Sequence, residues 1–191
     1  MGTRNVTIIK FDGEEKVRQY GQWDGCPVTA LASIVKFLKT NGAIEHLEEN
    51  LVKCKLVSEE RFVYPDNFSS IGNTIYKNWM SFHRKTYERC IAELVDRDIC
   101  DKEEALQYYL ATRDTGYHIP ELLITSAADE ATKIVLQRAY TDAVDWQIEA
   151  VNIIDLDHER IISYWHGKRG EWCFNSLPDE KEIEDFESGE E

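Results

Sequence analysis

Apolar and polar positions alternate with a period of two over residues 5–11 and 16–23, and the two runs flank Asp12-Gly13. Asp-Gly favours the positive φ angles of a tight turn, so the pattern predicts a β-hairpin. With a loop of two or four residues, even positions of the first strand share a face with odd positions of the second. Arg4, Val6, Ile8 and Lys10 then stand with Val17, Gln19, Gly21 and Trp23 as a core face. Thr3, Asn5, Thr7 and Ile9 stand with Arg18, Tyr20, Gln22 and Asp24 on a mostly polar one.

The period then lengthens. Val28, Leu31, Ala32, Val35 and Leu38 follow Pro27 at helical spacing, and Asn41-Gly42 closes that helix. Ile44, Leu47, Leu51 and Cys54 suggest a second helix. A longer one is expected over residues 75–95, and a short one through Ala105, Leu106, Tyr109 and Leu110 with Asp101 as its cap. Pro120-Glu121-Leu122-Leu123 looks helical again after a break at Asp114-Thr115-Gly116.

The last third returns to strands. Alternation from Val144 leads into the apolar run 151–154, and strands are expected at 160–166 and 171–175 with turns between them. Neither the hairpin nor this meander is stable alone, because a small sheet needs its apolar face covered. The expected fold is α+β: a single antiparallel sheet of about five strands, built from the N-terminal hairpin and the C-terminal meander and packed with the inserted helices. Residues 1–178 are read as one domain. Residues 179–191 are read as a frayed acidic tail.

Composition narrows the class. The 42% hydrophobic fraction is enough for a core, and 191 residues need no metal or disulfide to hold it. The net charge is −14, and half of it sits after Pro178, where eight carboxylates face Lys181 alone. Such a surface disfavours non-specific DNA binding and anionic membrane, and favours a basic protein partner, unless it serves only solubility. Five cysteines without a C-x-x-C pair argue against a disulfide framework or zinc site and fit a reducing cytoplasm. No stretch approaches the ~20 apolar residues of a membrane span, and no signal-peptide core is present.

Candidate chemistry gathers at the open end of the hairpin. Asp24, at a strand end before a helix, could orient water, accept a proton or hold a cation, and Arg4 could clamp an anion. The structural alternative has Asp24 capping the helix and Arg4 stacking on Trp23. Cys26 at a helix start is a thiol candidate, with His158 or His166 as the base it would need. Asp155-x-Asp157-His158 fits either a cation grip or an acidic turn. No metal-ligand spacing, P-loop or dinucleotide fingerprint occurs, so no metal or cofactor is assigned.

Met1-Gly2-Thr3-Arg4, the segment Tyr20-Gly21-Gln22-Trp23-Asp24-Gly25-Cys26-Pro27, Arg113-Asp114-Thr115-Gly116 and the closing Leu177-Pro178-Asp179-Glu180 together resemble a family of uncharacterised phage and bacterial proteins. Its members open M-G-T-R and carry Q-W-D-G-Y-P; here Cys26 replaces the Tyr, which counts against a family-wide cysteine nucleophile. The shared residues are mostly polar, which implies a site: Arg4, Gln22, Asp24 and Asp114 for chemistry, and Thr3, Tyr20, Trp23 and Gly116 for ligand contact. The N-terminal strand pair leading to a helix is also similar to Ntn-type amidohydrolases. Gly2 has no side chain to attack with, so that chemistry would need trimming to Thr3.

Two functions follow as expectations. One is a phage-type accessory protein in the bacterial host cytosol that counters a host defence system, in an anti-CRISPR-like manner, by binding a defence protein or ribonucleoprotein. The other is an enzyme cleaving RNA or a nucleotide-like ligand around Arg4, Gln22 and Asp24. Oligomeric state is left open.

Overall fold

A computed structural model of the chain describes residues 2–52, 55–57, 108–110, 116–125, 133–137 and 148–189. The expected helix over 75–95, the Asp101 cap and Asp114 lie outside these residues. Strands β1 (Asn5–Phe11) and β2 (Glu14–Gly21) form the first hairpin. Helices α1 (Ala30–Leu38) and α2 (Ala43–Leu51) follow, broken at Gly42, whose φ of 75° ends the first helical run. Short strands β3 (Lys55–Val57) and β4 (Tyr108–Leu110), a 3₁₀ turn (Gly116–His118), α3 (Ile119–Thr125) and β5 (Lys133–Gln137) come next. The chain ends with β6 (Ala150–Asp155), β7 (Arg160–Trp165), β8 (Lys168–Cys173), a 3₁₀ turn (Phe174–Ser176) and α4 (Glu180–Ser188).

Hairpin and meander join into one five-stranded sheet in the order β2-β1-β6-β7-β8, and the fold is α+β. Pairing is antiparallel within each half, and the seam between β1 and β6 is parallel, so the sheet is mixed. The reason is topological. The chain leaves the sheet after Gly21, at the end where β1 begins, and re-enters at Ala150 beside Asn5. A strand entering at that end must run with β1. A second sheet, β3-β5-β4, is wholly parallel. Its strand Tyr108–Leu110 takes the place of the end of the short helix expected through Leu110.

The two tight turns obey their sequence. Asp12 and Gly13 have φ of 56° and 71°, and His166 and Gly167 have 46° and 84°, as two-residue hairpin turns require. The face assignment of β1 and β2 needs correction. Lys10 pairs with Glu15 but Ile9 pairs with Val17, which leaves Lys16 as a β-bulge. Beyond the bulge odd positions face odd positions. Ile9 and Val17 join Ile154 and Ile161 in the core beneath the helices, while Val6, Ile8 and Tyr20 form a separate cluster on the other face.

Above that core the register aligns a polar row across all five strands: Gln19, Thr7, Asn152, Ser163 and Gly170. Its four side chains are buried. Ser163 Oγ donates to Asn152 Oδ1 at 2.8 Å, and Gln19 Nε2 donates to the Tyr20 carbonyl at 2.8 Å.

Residues 180–188, expected to fray, form a capped helix. Asp179 accepts from the Glu182 N–H while Glu182 reaches back to the Asp179 N–H, a reciprocal capping box. Ile183 is buried in the main core and Phe186 meets Trp172 edge-on with ring centroids 5.5 Å apart. Lys168 Nζ donates to the Glu187 carbonyl at 3.2 Å, supplying the cation that the acidic last turn lacks. Among the described residues no helix is long and apolar enough to cross a membrane.

Candidate functional site

The site is built on Asn5, which sequence reading placed on a polar face without a role. Its side chain is buried and its Nδ2 donates to the Trp23 carbonyl at 3.1 Å, which fixes the loop after β2. Three glycines close round it. A Cβ on Gly21 would fall 2.7 Å from the Asn5 amide and 2.8 Å from the Gly116 Cα, and one on Gly25 would fall 2.7 Å from the Asn5 Cβ. Gly116 has φ of 47° and lies against Gly21 in turn. Only residues without a side chain allow this approach. The Gln22–Gly25 stretch and the segment that follows Asp114 therefore meet at one point, with Gly116 serving as a packing position.

The loop itself is held by main chain. Gly25 N donates to the Thr3 carbonyl at 3.1 Å, so Thr3 acts through its backbone. Trp23 lies against the Gly2 backbone, where any Cβ would strike its ring, and 55% of its surface is exposed. Asp24 is exposed and holds a left-handed φ of 53°. It does not cap α1: Thr29 stands at the N-cap, and Cys26 O accepts from Thr29 N and Ala30 N at 3.0 and 2.8 Å. The Val28 N–H in this turn is taken at 2.8 Å by Glu187 Oε2 from α4.

The remaining candidates divide. Tyr20 is buried, and its hydroxyl donates to Gln22 Oε1 at 2.8 Å, so Gln22 turns to the face opposite the helices. The bulge at Lys16 is the cause: it puts Gln22 in step with Arg4 instead of Thr3. Arg4 is half-buried. Its main chain stitches β1 to β6, its N–H donating to Glu149 Oε2 at 2.8 Å and its carbonyl accepting from Glu149 N and Ala150 N. Its guanidinium makes no ion pair among the described residues.

Tyr117 is the residue that sequence reading missed. Burial raises its pKa, and Asp24, Cys26 and Glu121 raise it further, which marks those three as its electrostatic neighbours. Beside it His118 Nδ1 lies 3.0 Å from Glu121 Oε2. The signal was its position directly after a glycine in the Asp114-Thr115-Gly116 element.

Cys26 is half-buried and donates to Thr29 Oγ1 at 3.3 Å. The meander histidines have other roles. His158 pairs with Asp155 at 3.0 Å in the β6–β7 turn, and His166 forms the β7–β8 turn against Trp165. The acidic turn is structural too. Asp155 also takes Arg160 at 3.0 Å, and Asp157 accepts from Asp12 N and Gly13 N at 2.7 and 3.0 Å, tying one hairpin turn to the other. No group of side chains among the described residues is arranged to hold a metal ion. Comparison with protein families, curated proteins and solved structures finds no match to this chain.

Proposed function

We propose that this protein works by binding a macromolecular partner through the loop 22–28, as a phage-type accessory protein that counters a component of a host defence system. The observation that carries the reading is Trp23, 55% exposed on a loop whose base is locked by Asn5 and Gly25. A large amphipathic ring held out on a rigid pedestal, with the half-exposed Val28 on the same loop, is the usual anchor of a protein interface. The net charge of −14 favours a basic partner, including one that ordinarily grips nucleic acid. The resemblance to phage proteins supplies the biological setting. Affinity capture of the tagged protein from host lysate tests it: a single stoichiometric protein is expected, and its identity names the pathway.

A second reading is an enzyme acting on RNA or a nucleotide-like ligand. It is favoured by the Arg4 guanidinium, free of ion pairs among the described residues, and by Tyr117 standing close to Asp24 and Cys26. Under it Asp24→Asn abolishes turnover while leaving the melting temperature unchanged. Intact RNA in the captured complex counts against it.

A further inference from the structure

The five-stranded sheet has two edges, and they differ. At the β2 edge, β2 is in contact with β5 of the second sheet. At the β8 edge, Arg169, Glu171 and Cys173 are exposed and no hydrogen bond to their main chain occurs among the described residues.

The phase of the free groups follows from the turn. A two-residue turn at His166-Gly167 makes Trp165 and Lys168 a hydrogen-bonded pair, and alternation gives the same status to Ser163–Gly170 and Ile161–Trp172. The Phe174 N–H bonded to the Glu159 carbonyl at 2.8 Å continues the series. The N–H and C=O groups of Arg169, Glu171 and Cys173 therefore point away from the sheet.

We propose that β8 pairs antiparallel with β8 of a second copy of this chain, about a two-fold axis at Gly170. Three features select this arrangement. Pairing Arg169 with the Glu171 of the other copy opposes two residues whose main-chain groups both face outward, so the ladder bonds form. A slip of one residue opposes an outward residue to an inward one and forms none. A slip of two residues in either direction places Arg169 opposite Arg169 or Glu171 opposite Glu171. Only the register centred on Gly170 therefore satisfies both hydrogen bonds and charge. At its centre two glycines face each other at a close, non-hydrogen-bonded position, where no side chains obstruct. The patch is self-complementary, as an isologous two-fold contact must be.

Charged edge residues commonly prevent such pairing, so the sign of their arrangement is what matters. Within one chain Glu171 already takes Arg160 at 2.8 Å and also Arg169. Across the axis the same carboxylate stands directly opposite the partner's guanidinium, while the like-charge pairs, Arg169 with Arg169 and Glu171 with Glu171, fall on the longer diagonals.

Sedimentation velocity of the full chain over a range of concentrations tests the proposal. The expected result is a dimer at twice the 22.2 kDa chain mass. Arg169→Pro removes an outward-facing N–H without touching the β7–β8 ladder, and should give a monomer with an unchanged circular dichroism spectrum. Where proline disturbs folding, Arg169→Glu and Glu171→Arg serve instead: each alone should be monomeric, and an equimolar mixture should restore a heterodimer. A wild-type chain that stays monomeric at its highest soluble concentration overturns the proposal. So does a dimer indifferent to these variants, or a monomer whose β8 edge instead binds an added extended peptide.

Discussion

Gly21 and Gly116 meet backbone to backbone over the Asn5 side chain: a Cβ on Gly21 would fall 2.8 Å from the Gly116 Cα, and one on Gly116 would fall 3.1 Å from the Gly21 Cα. Through this contact, two stretches nearly a hundred residues apart become one surface. Gly21→Ala must push either the Asn5 amide or the 3₁₀ turn away, an overpacking cost of about 1–3 kcal/mol. Gly116→Ala adds the left-handed strain of its φ of 47°, roughly 1–2 kcal/mol. Urea denaturation reads both. An unchanged midpoint for Gly21→Ala would show that the two segments do not touch.

Thr7 is fully buried on β1, and its hydroxyl has no hydrogen-bond partner among the described residues. Replacing it by the isosteric Val removes a buried hydroxyl that no described residue satisfies. Thr7→Val should therefore stabilise the protein by about 1 kcal/mol, measured as a higher urea midpoint. A loss of stability would mean that the hydroxyl is bonded after all.

Asp155 sets an acid limit. Burial works to raise its pKa, but the hydrogen bonds from His158 and Arg160 outweigh it and hold the carboxyl below its ordinary 3.8. Its folded-state pKa is depressed, so its contribution is present above that ordinary value and is lost as pH falls through the lower folded one. Wild type should lose stability over this window below about pH 4 more steeply than Asp155→Asn, which should already be weaker at pH 7 by roughly 2 kcal/mol. Parallel acid titrations followed by circular dichroism contradict the assignment if the two curves keep a constant gap.

The acidic C-terminal helix is part of the core. Ile183→Ala should cost about 2–4 kcal/mol, because the side chain is buried among helices and sheet. A frayed tail would show no change in thermal midpoint.

The sequence made local rules visible and left long-range ones hidden. Asp12-Gly13 dictates its turn through φ, and Gly42 ends its helix for the same reason. The helical spacing of Leu31, Val35 and Leu38 located α1, although Val28, counted with them, is exposed, and Ile34 and Phe37, not counted, are buried. The bulge at Lys16 is a single unpaired residue with no marker in composition, yet it reverses the faces of β1 and β2 relative to each other. For that reason Gln22, grouped with Thr3 in the sequence, turns to the other face in step with Arg4. Tyr108–Leu110 reads as helix in isolation and becomes a strand because β5 is there to pair with it. The acidic tail looked like solvent-facing charge because its anchors, Lys168 and Trp172, come from another element.

Loop 22–28 is tested as a binding surface most directly by affinity capture from host lysate with wild type and Trp23→Ala side by side. Trp23 is half exposed, so the variant should keep its thermal midpoint to within about 0.5 kcal/mol of stability. The predicted result is one stoichiometric protein partner on wild type, lost from Trp23→Ala. A partner retained by the variant, or no partner on either, would contradict a binding role for this loop.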